Sequence, residues 1–264
     1  MTTLELNKYA QYHAEVDEQV DAALKGYRGS DESVILDSRL AWFFVPEAFK
    51  VRLVVDPGIA GERVFCASRK AEEAYETVEH AVEAVVERRR LETERYKATY
   101  GIDQSNPRNY DLVIDTSFVS PSEVVDLIEA RMRDWNVGRE YAHLWVSPAV
   151  LFPTVNIRCR KDSRAEALAS AMKEQGYDEA KPVSCLHVDS YFFVFDGHHR
   201  VVAANWAKLS LLPATLVAHQ DELVPGGVTA EEYVMTNSSL SQAYDWEEFS
   251  GSRHPSYPSI LTAR

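Results

Sequence analysis

The sequence predicts an α/β protein: a parallel sheet with flanking helices, followed by a smaller α+β domain. Three observations carry this. Short β-branched runs bounded by turn residues, Val34–Leu36, Val51–Val55 and Leu112–Ile114, have the pattern of strands buried on both faces. Helix-periodic segments alternate with them, which is the signature of a parallel sheet. The breaker cluster Asn136, Val137 and Gly138 then interrupts the pattern, and a second, hairpin-containing set of elements begins.

In order, Leu6, Tyr9, Ala10, Val16, Val20 and Leu24 fit one face of a helix over Glu5 to Lys25 that Gly26 stops. Arg69 to Tyr100 lacks Gly and Pro and is dense in Glu and Arg, predicting a long exposed helix or helix pair. Ser120-Pro121-Ser122-Glu123 supplies a serine cap, a first-turn proline and an early acid for a helix over Glu123 to Trp135. A strand at Leu144 to Val146, the Pro148 to Pro153 stretch and a helix near Ser163 to Gln175, closed by Gly176, open the second half. Val183 to Val188 and Tyr191 to Phe195 form a hairpin about Asp189-Ser190. Asp196-Gly197-His198-His199-Arg200 follows, then an apolar helix over Val201 to Lys208 and a strand over Ala214 to Ala218. The expected domains are 1–136, 137–222 and an acidic, aromatic and Ser/Pro-rich extension at 223–264.

With 28 Lys+Arg against 41 Asp+Glu the formal charge is −13, which repels a phosphate polymer, so nucleic acid is not the expected partner. Cys66, Cys159 and Cys185 are odd in number and widely spaced, and are read as reduced, mostly buried thiols of a cytoplasmic protein. No stretch approaches the roughly twenty apolar residues of a membrane span. The aromatics Tyr191, Phe192, Phe193, Phe195 and Trp206 read as core, and Asp245 to Phe249 as a solvated terminal face.

The turn at Asp196 carries the clearest chemistry. Placed after a strand and opening a helix, its amides point from a helix N-terminus, where an anion is favoured. Gly197 permits close backbone approach and Arg200 can fork onto two phosphate oxygens. Asp196 can cap the helix, ligate Mg²⁺ or accept a hydroxyl proton, and His198 and His199 can donate to phosphate or act as acid/base groups.

Two resemblances extend this reading. Val34 to Arg39, Val51 to Val55, Arg95 to Asp103 and Tyr110 to Thr116, in that order, resemble archaeal-type cytidylate kinases over Met1 to about Trp135. The resemblance implies that Arg39 contacts a nucleoside monophosphate and that Arg63, Arg69, Arg88 and Arg95 lie in the lid region. Those arginines can equally pair with Glu62, Glu72, Glu73, Glu87, Glu92 and Glu94 on a solvated helix. The family's G-x-x-x-x-G-K-[ST] phosphate loop occurs nowhere; Pro57 to Arg63 has two glycines at the wrong spacing and sits where the family starts a lid helix. Cytidylate kinase activity is therefore expected only if the true start lies upstream. Leu144 to about His219 resembles the ParB/sulfiredoxin superfamily, and the D-G-H-H-R string resembles its free-serine-kinase branch. That implies Mg²⁺ with ATP or ADP, phosphate binding at Gly197, His198, His199 and Arg200, catalysis by Asp196, His198 and His199, and a small hydroxyl-bearing acceptor. A ParB-like nucleotide-binding switch or DNA-associated module is the alternative. No cysteine stands between Phe195 and Arg200, so sulfinic-acid reduction is not expected.

Overall fold

The computed structural model describes residues 14–67, 75–156 and 163–262. Contacts divide the chain into two compact units, Met1–Lys50 with Pro57–Tyr110, and Val51–Asp56 with Asp111–Arg264. The expected α/β class is the one observed.

The first unit is helical: α1 (Ala14–Lys25), α2 (Ala41–Phe44), α3 (Pro57–Cys66) and α4 (Val78–Tyr100). Thr77 starts α4 by accepting a hydrogen bond from the His80 amide, and Gly101, at φ 69°, ends it. Arg69, Glu72 and Glu73 lie outside the described residues, as do Leu6, Tyr9 and Ala10. Leu24, Leu40, Phe44, Val45 and Tyr96 form the core. Val20, expected on the buried face of α1, is 49% exposed; Asp21 is buried instead, where its carboxylate accepts the Tyr100 hydroxyl. Gly61 lets α3 approach α4 closely, since a Cβ there would lie 2.8 Å from the Val82 backbone.

The expected strand at Val34–Leu36 does not form: Val34 is 47% and Ile35 99% exposed, and only Leu36 packs on the core. β-Branched composition measures fit to a pleated, half-buried surface, and without a partner ladder it does not make a strand.

The second unit contains the sheet. Its strands are β1 (Val51–Val54), β2 (Leu112–Asp115), β3 (Leu144–Val146), β4 (Val183–Val188), β5 (Tyr191–Asp196) and β6 (Leu212–His219). The order is β1-β2-β3-β6-β4-β5. β1–β2, β2–β3 and β4–β6 are parallel, while β3–β6 and β4–β5 are antiparallel. The sheet thus continues through Asn136, because β2 pairs with β3. Asp189, at φ 55°, makes the β4–β5 turn as its residue type suggested.

Around the sheet lie α5 (Pro121–Asn136), α6 (Ser163–Gln175), α7 (His198–Ala207), α8 (Ala230–Asn237), α9 (Leu240–Ser250) and α10 (Ser259–Thr262). A reciprocal Ser120–Glu123 capping box opens α5, as the sequence signalled. Phe152, Leu186, Val188, Phe193, Ala218 and Val234 centre the core, and Tyr191 and Phe195 pack against it. The segment Asp245 to Phe249 is not a solvated face. Trp246 is fully buried, and Glu247 accepts hydrogen bonds from the His254 amide at 2.8 Å and the Tyr257 hydroxyl at 2.6 Å. One helical turn carries Asp245 and Glu248 outward and the indole inward, so charge density along the chain misjudged the face. No described helix is long and apolar enough to cross a membrane.

Candidate phosphate-handling cleft

β5 delivers Asp196 to the surface at the end of a hairpin whose inner residues, Phe193 and Val194, are fully buried. Gly197 then reverses the chain at φ 99°, and its carbonyl accepts from the Arg200 and Val201 amides to start α7. Val201 to Ala204 are fully buried, which seats α7 against the sheet and fixes the turn. No side chain caps this helix. Asp196, a candidate cap in the sequence, is not one; its carboxylate meets Arg200 Nη2 at 3.1 Å.

The five residues of the turn divide in their surroundings. The His198 ring is largely enclosed: its Nε2 faces the Thr154 amide at 3.2 Å, and its edge meets Trp246 at a ring separation of 5.9 Å. Accepting from Thr154 requires an unprotonated Nε2, and burial, opposed by nearby Asp196, pushes the imidazole down to about 4. His198 is therefore neutral near pH 7. His199 and Asp196 lie at the cleft wall, with Asp196 76% exposed. Arg200 donates through Nη1 to the Lys181 carbonyl at 2.6 Å and the Pro182 carbonyl at 2.9 Å.

These groups border a cleft of about 770 Å³, inside the range of small-molecule sites. Its lining includes Arg164, Lys181, Asp196, His199 and Arg200, with Val155, Ala167 and Leu168 as an apolar side. Cationic groups outnumber the single carboxylate, in a chain whose formal charge is −13. Sequence reasoning missed Arg164, Lys181, Thr154 and Trp246. Nothing local marks them, since they come from α6, from the entry to β4, from the segment after Phe152 and from α9.

Mg²⁺ suits such a place only as a nucleotide-borne ion. It is held by one or two carboxylates plus substrate phosphates, and Asp196 supplies one carboxylate. Among the described residues no group of three or more His, Cys, Asp and Glu side chains could hold a metal by itself. Cys185 is buried in β4, which pushes its thiol up to about 12; Cys66 is exposed and Cys159 lies outside the described residues.

In the first unit Arg39 is paired with Glu92, which is 1% exposed. Arg88 and Arg95 flank Glu92 on one face of α4, at helical spacing. Arg95 Nη2 donates to the Tyr96 hydroxyl at 3.2 Å and its guanidinium lies over the Tyr96 ring. Arg63 is exposed in the last turn of α3. Thus Arg39 meets α4 through Glu92, one of the glutamates offered as a structural partner for these arginines.

A cytidylate kinase-like family model matches residues 2–118. An S-adenosylmethionine-dependent nucleotide dehydratase of Lacinutrix mariniflava is 29% identical over 164 residues, 61% of this chain and 32% of that protein. Cytidylate kinases of Pyrobaculum arsenaticum and Pyrococcus abyssi are 36% and 34% identical, over 46% and 49% of this chain and 64% and 68% of theirs. The chain therefore spans about a third of the dehydratase and about two thirds of these kinases. No solved structure matches it. On the strength of the family model and of these kinases, the chain belongs to the cytidylate kinase-like family.

Proposed function

We propose that this protein is a nucleotide-dependent phosphotransferase whose working site is the cleft at the Asp196–Arg200 turn, acting on a small hydroxyl-bearing molecule. The observation that carries the reading is the uncapped N-terminus of α7 opening into a cation-rich cleft of nucleotide size. The resemblance of Leu144 to His219 to ParB/sulfiredoxin-like domains supports it, and the relatives' names, cytidylate kinase and nucleotide dehydratase, supply nucleotides as the common theme.

In this reading the α7 amides and the cationic rim hold the phosphates, and Asp196 would hold a nucleotide-borne Mg²⁺, which would supply neutralisation of the phosphate charge. The acceptor hydroxyl attacks the terminal phosphorus, its proton passes to Asp196 or His199, and the nucleoside diphosphate leaves. Catalysis of this kind is mainly positioning and charge stabilisation. His198 holds the wall of the cleft through Thr154 rather than exchanging protons.

Calorimetry with MgADP and MgATP tests the proposal: the wild type binds, and Asp196→Asn keeps most of the affinity while losing turnover on the active acceptor. Absence of binding overturns it. A second reading, phosphoryl transfer to CMP in the first unit, is favoured by family membership. CDP formation from CMP and ATP that survives Asp196→Asn would place the reaction there and remove the cleft from it.

A further inference from the structure

Arg200 is the residue of the turn that a phosphate would seem to need, yet its guanidinium is already engaged. Nη1 spans two consecutive main-chain carbonyls, Lys181 at 2.6 Å and Pro182 at 2.9 Å, and Nη2 meets Asp196 at 3.1 Å. The plane lies over Gly197: a Cβ at that position would stand 2.9 Å from Nη2 and 3.1 Å from Nε. The glycine therefore makes room for the arginine three residues on, in addition to any room it leaves for a ligand. The side chain is 24% exposed, whereas that of Lys181 is 73% exposed and reaches the same cleft.

We infer that Arg200 is a positioning residue: it holds the backbone at Lys181-Pro182 against the Gly197 turn, and the cation it places at the rim, Lys181, meets the anionic ligand. Three acceptors met at 2.6–3.1 Å suit a guanidinium, whose donors form a rigid fork, and an ammonium on a flexible stem cannot reproduce the set. Pro182 lacks an N–H and precedes β4, so the entry to that strand has no main-chain donor of its own there, and the Arg200 fork ties its carbonyl to the turn. Lys181 also meets Asp178 at 2.9 Å, an exposed pair that a phosphate of higher charge can displace.

This inference rests on the proposed cleft for its ligand arm but carries a second arm that needs no ligand. With MgADP as probe, Lys181→Ala weakens binding by about tenfold and leaves the thermal midpoint unchanged. Arg200→Lys weakens it comparably, although the charge is retained, and the double variant binds no more weakly than the worse single variant, within about twofold. Arg200→Lys with near wild-type affinity, or single effects that multiply, would show Arg200 to be a direct phosphate contact and overturn the inference. Should the wild type not bind MgADP, the proposed function fails, and amide hydrogen exchange decides the positioning role alone. Exchange across Val183–Cys185 then rises by about tenfold or more in Arg200→Lys if the fork holds the entry to β4, and stays at the wild-type rate if it does not.

Discussion

Arg39 and Arg200 both look like anion ligands in the sequence, and the fold gives them opposite neighbours. Arg39 meets the carboxylate of Glu92, which is 1% exposed, so the charge of the pair is cancelled inside the first unit. Arg200 meets two neutral carbonyls and one exposed carboxylate, at a cleft that keeps a cationic excess. The same residue type thus meets a buried acid in one unit and main-chain carbonyls in the other. An arginine's role is set by what satisfies its fork, and a buried acid leaves less for a ligand than a carbonyl does.

The comparison depends on α4 being held in the first unit, and Gly61 lets α3 pack closely against it at Val82. Its Cβ would meet the Val82 backbone at 2.8 Å, a contact that side-chain rotation cannot relieve. Gly61→Val is expected to cost near the upper end of about 1–3 kcal/mol, the range for overpacking. Urea denaturation measures it. A change near zero would mean that α3 and α4 are not closely packed.

For the second unit the corresponding test is pH. His198 is held neutral by burial, with its imidazole pushed down to about 4, so the unfolded chain binds its proton first and stability falls as pH drops from about 6.5 towards 4. Asp115, at the end of β2, runs the other way. Burial raises its carboxyl to about 6, against hydrogen bonds from Ser117 and Ser147 that favour the charged form. The folded state therefore takes up its proton first, and stability rises over the interval from about 6 to 4. In the wild type these trends oppose each other. His198→Gln, which can still accept from the Thr154 amide, removes one of them, so on acidification from pH 7 to 4.5 it should gain roughly 2 kcal/mol relative to wild type. Parallel stability curves for the two proteins would show that His198 titrates normally and is free to exchange protons at the site.

Much of this was legible in advance because it was local. The α5 capping box, the Asp189-Ser190 turn, the closure of α6 at Gly176 and the strand–turn–helix order at Asp196 all follow from neighbours within a few residues. The errors came where a partner distant in sequence decides. Val34–Leu36 has strand composition but no ladder, and Trp246 sits among acids but faces inward. Arg164 and Lys181 reach the cleft, and Thr154 reaches His198 in its wall, only because α6, the entry to β4 and the segment after Phe152 converge there. Arg200's attachment to the Lys181 and Pro182 carbonyls was invisible for the same reason, since main-chain acceptors leave no mark in a sequence.

The smallest expected effect separates hydrogen bonding in solvent from burial. Arg90 is fully engaged: Nε and Nη2 meet Glu87 at 2.8 Å and Nη1 meets Glu94 at 2.6 Å. The Glu87 hydrogen bonds, then those to Glu94, hold its guanidinium well above its usual value, so its charge is not in question. All three side chains are in solvent, however, and exposed pairs at helical spacing are screened and must order long side chains. Arg90→Gln should leave the urea midpoint unresolved from wild type at physiological salt. Glu92→Gln, at a carboxylate that is buried rather than exposed, should cost about 1 kcal/mol once the solvent reaching Arg39 is allowed for. If Arg90→Gln proves the more damaging of the two, exposed hydrogen bonds outweigh burial on α4. The contrast between a cancelled Arg39 and an engaged Arg200 would then have to be redrawn from the hydrogen bonds alone.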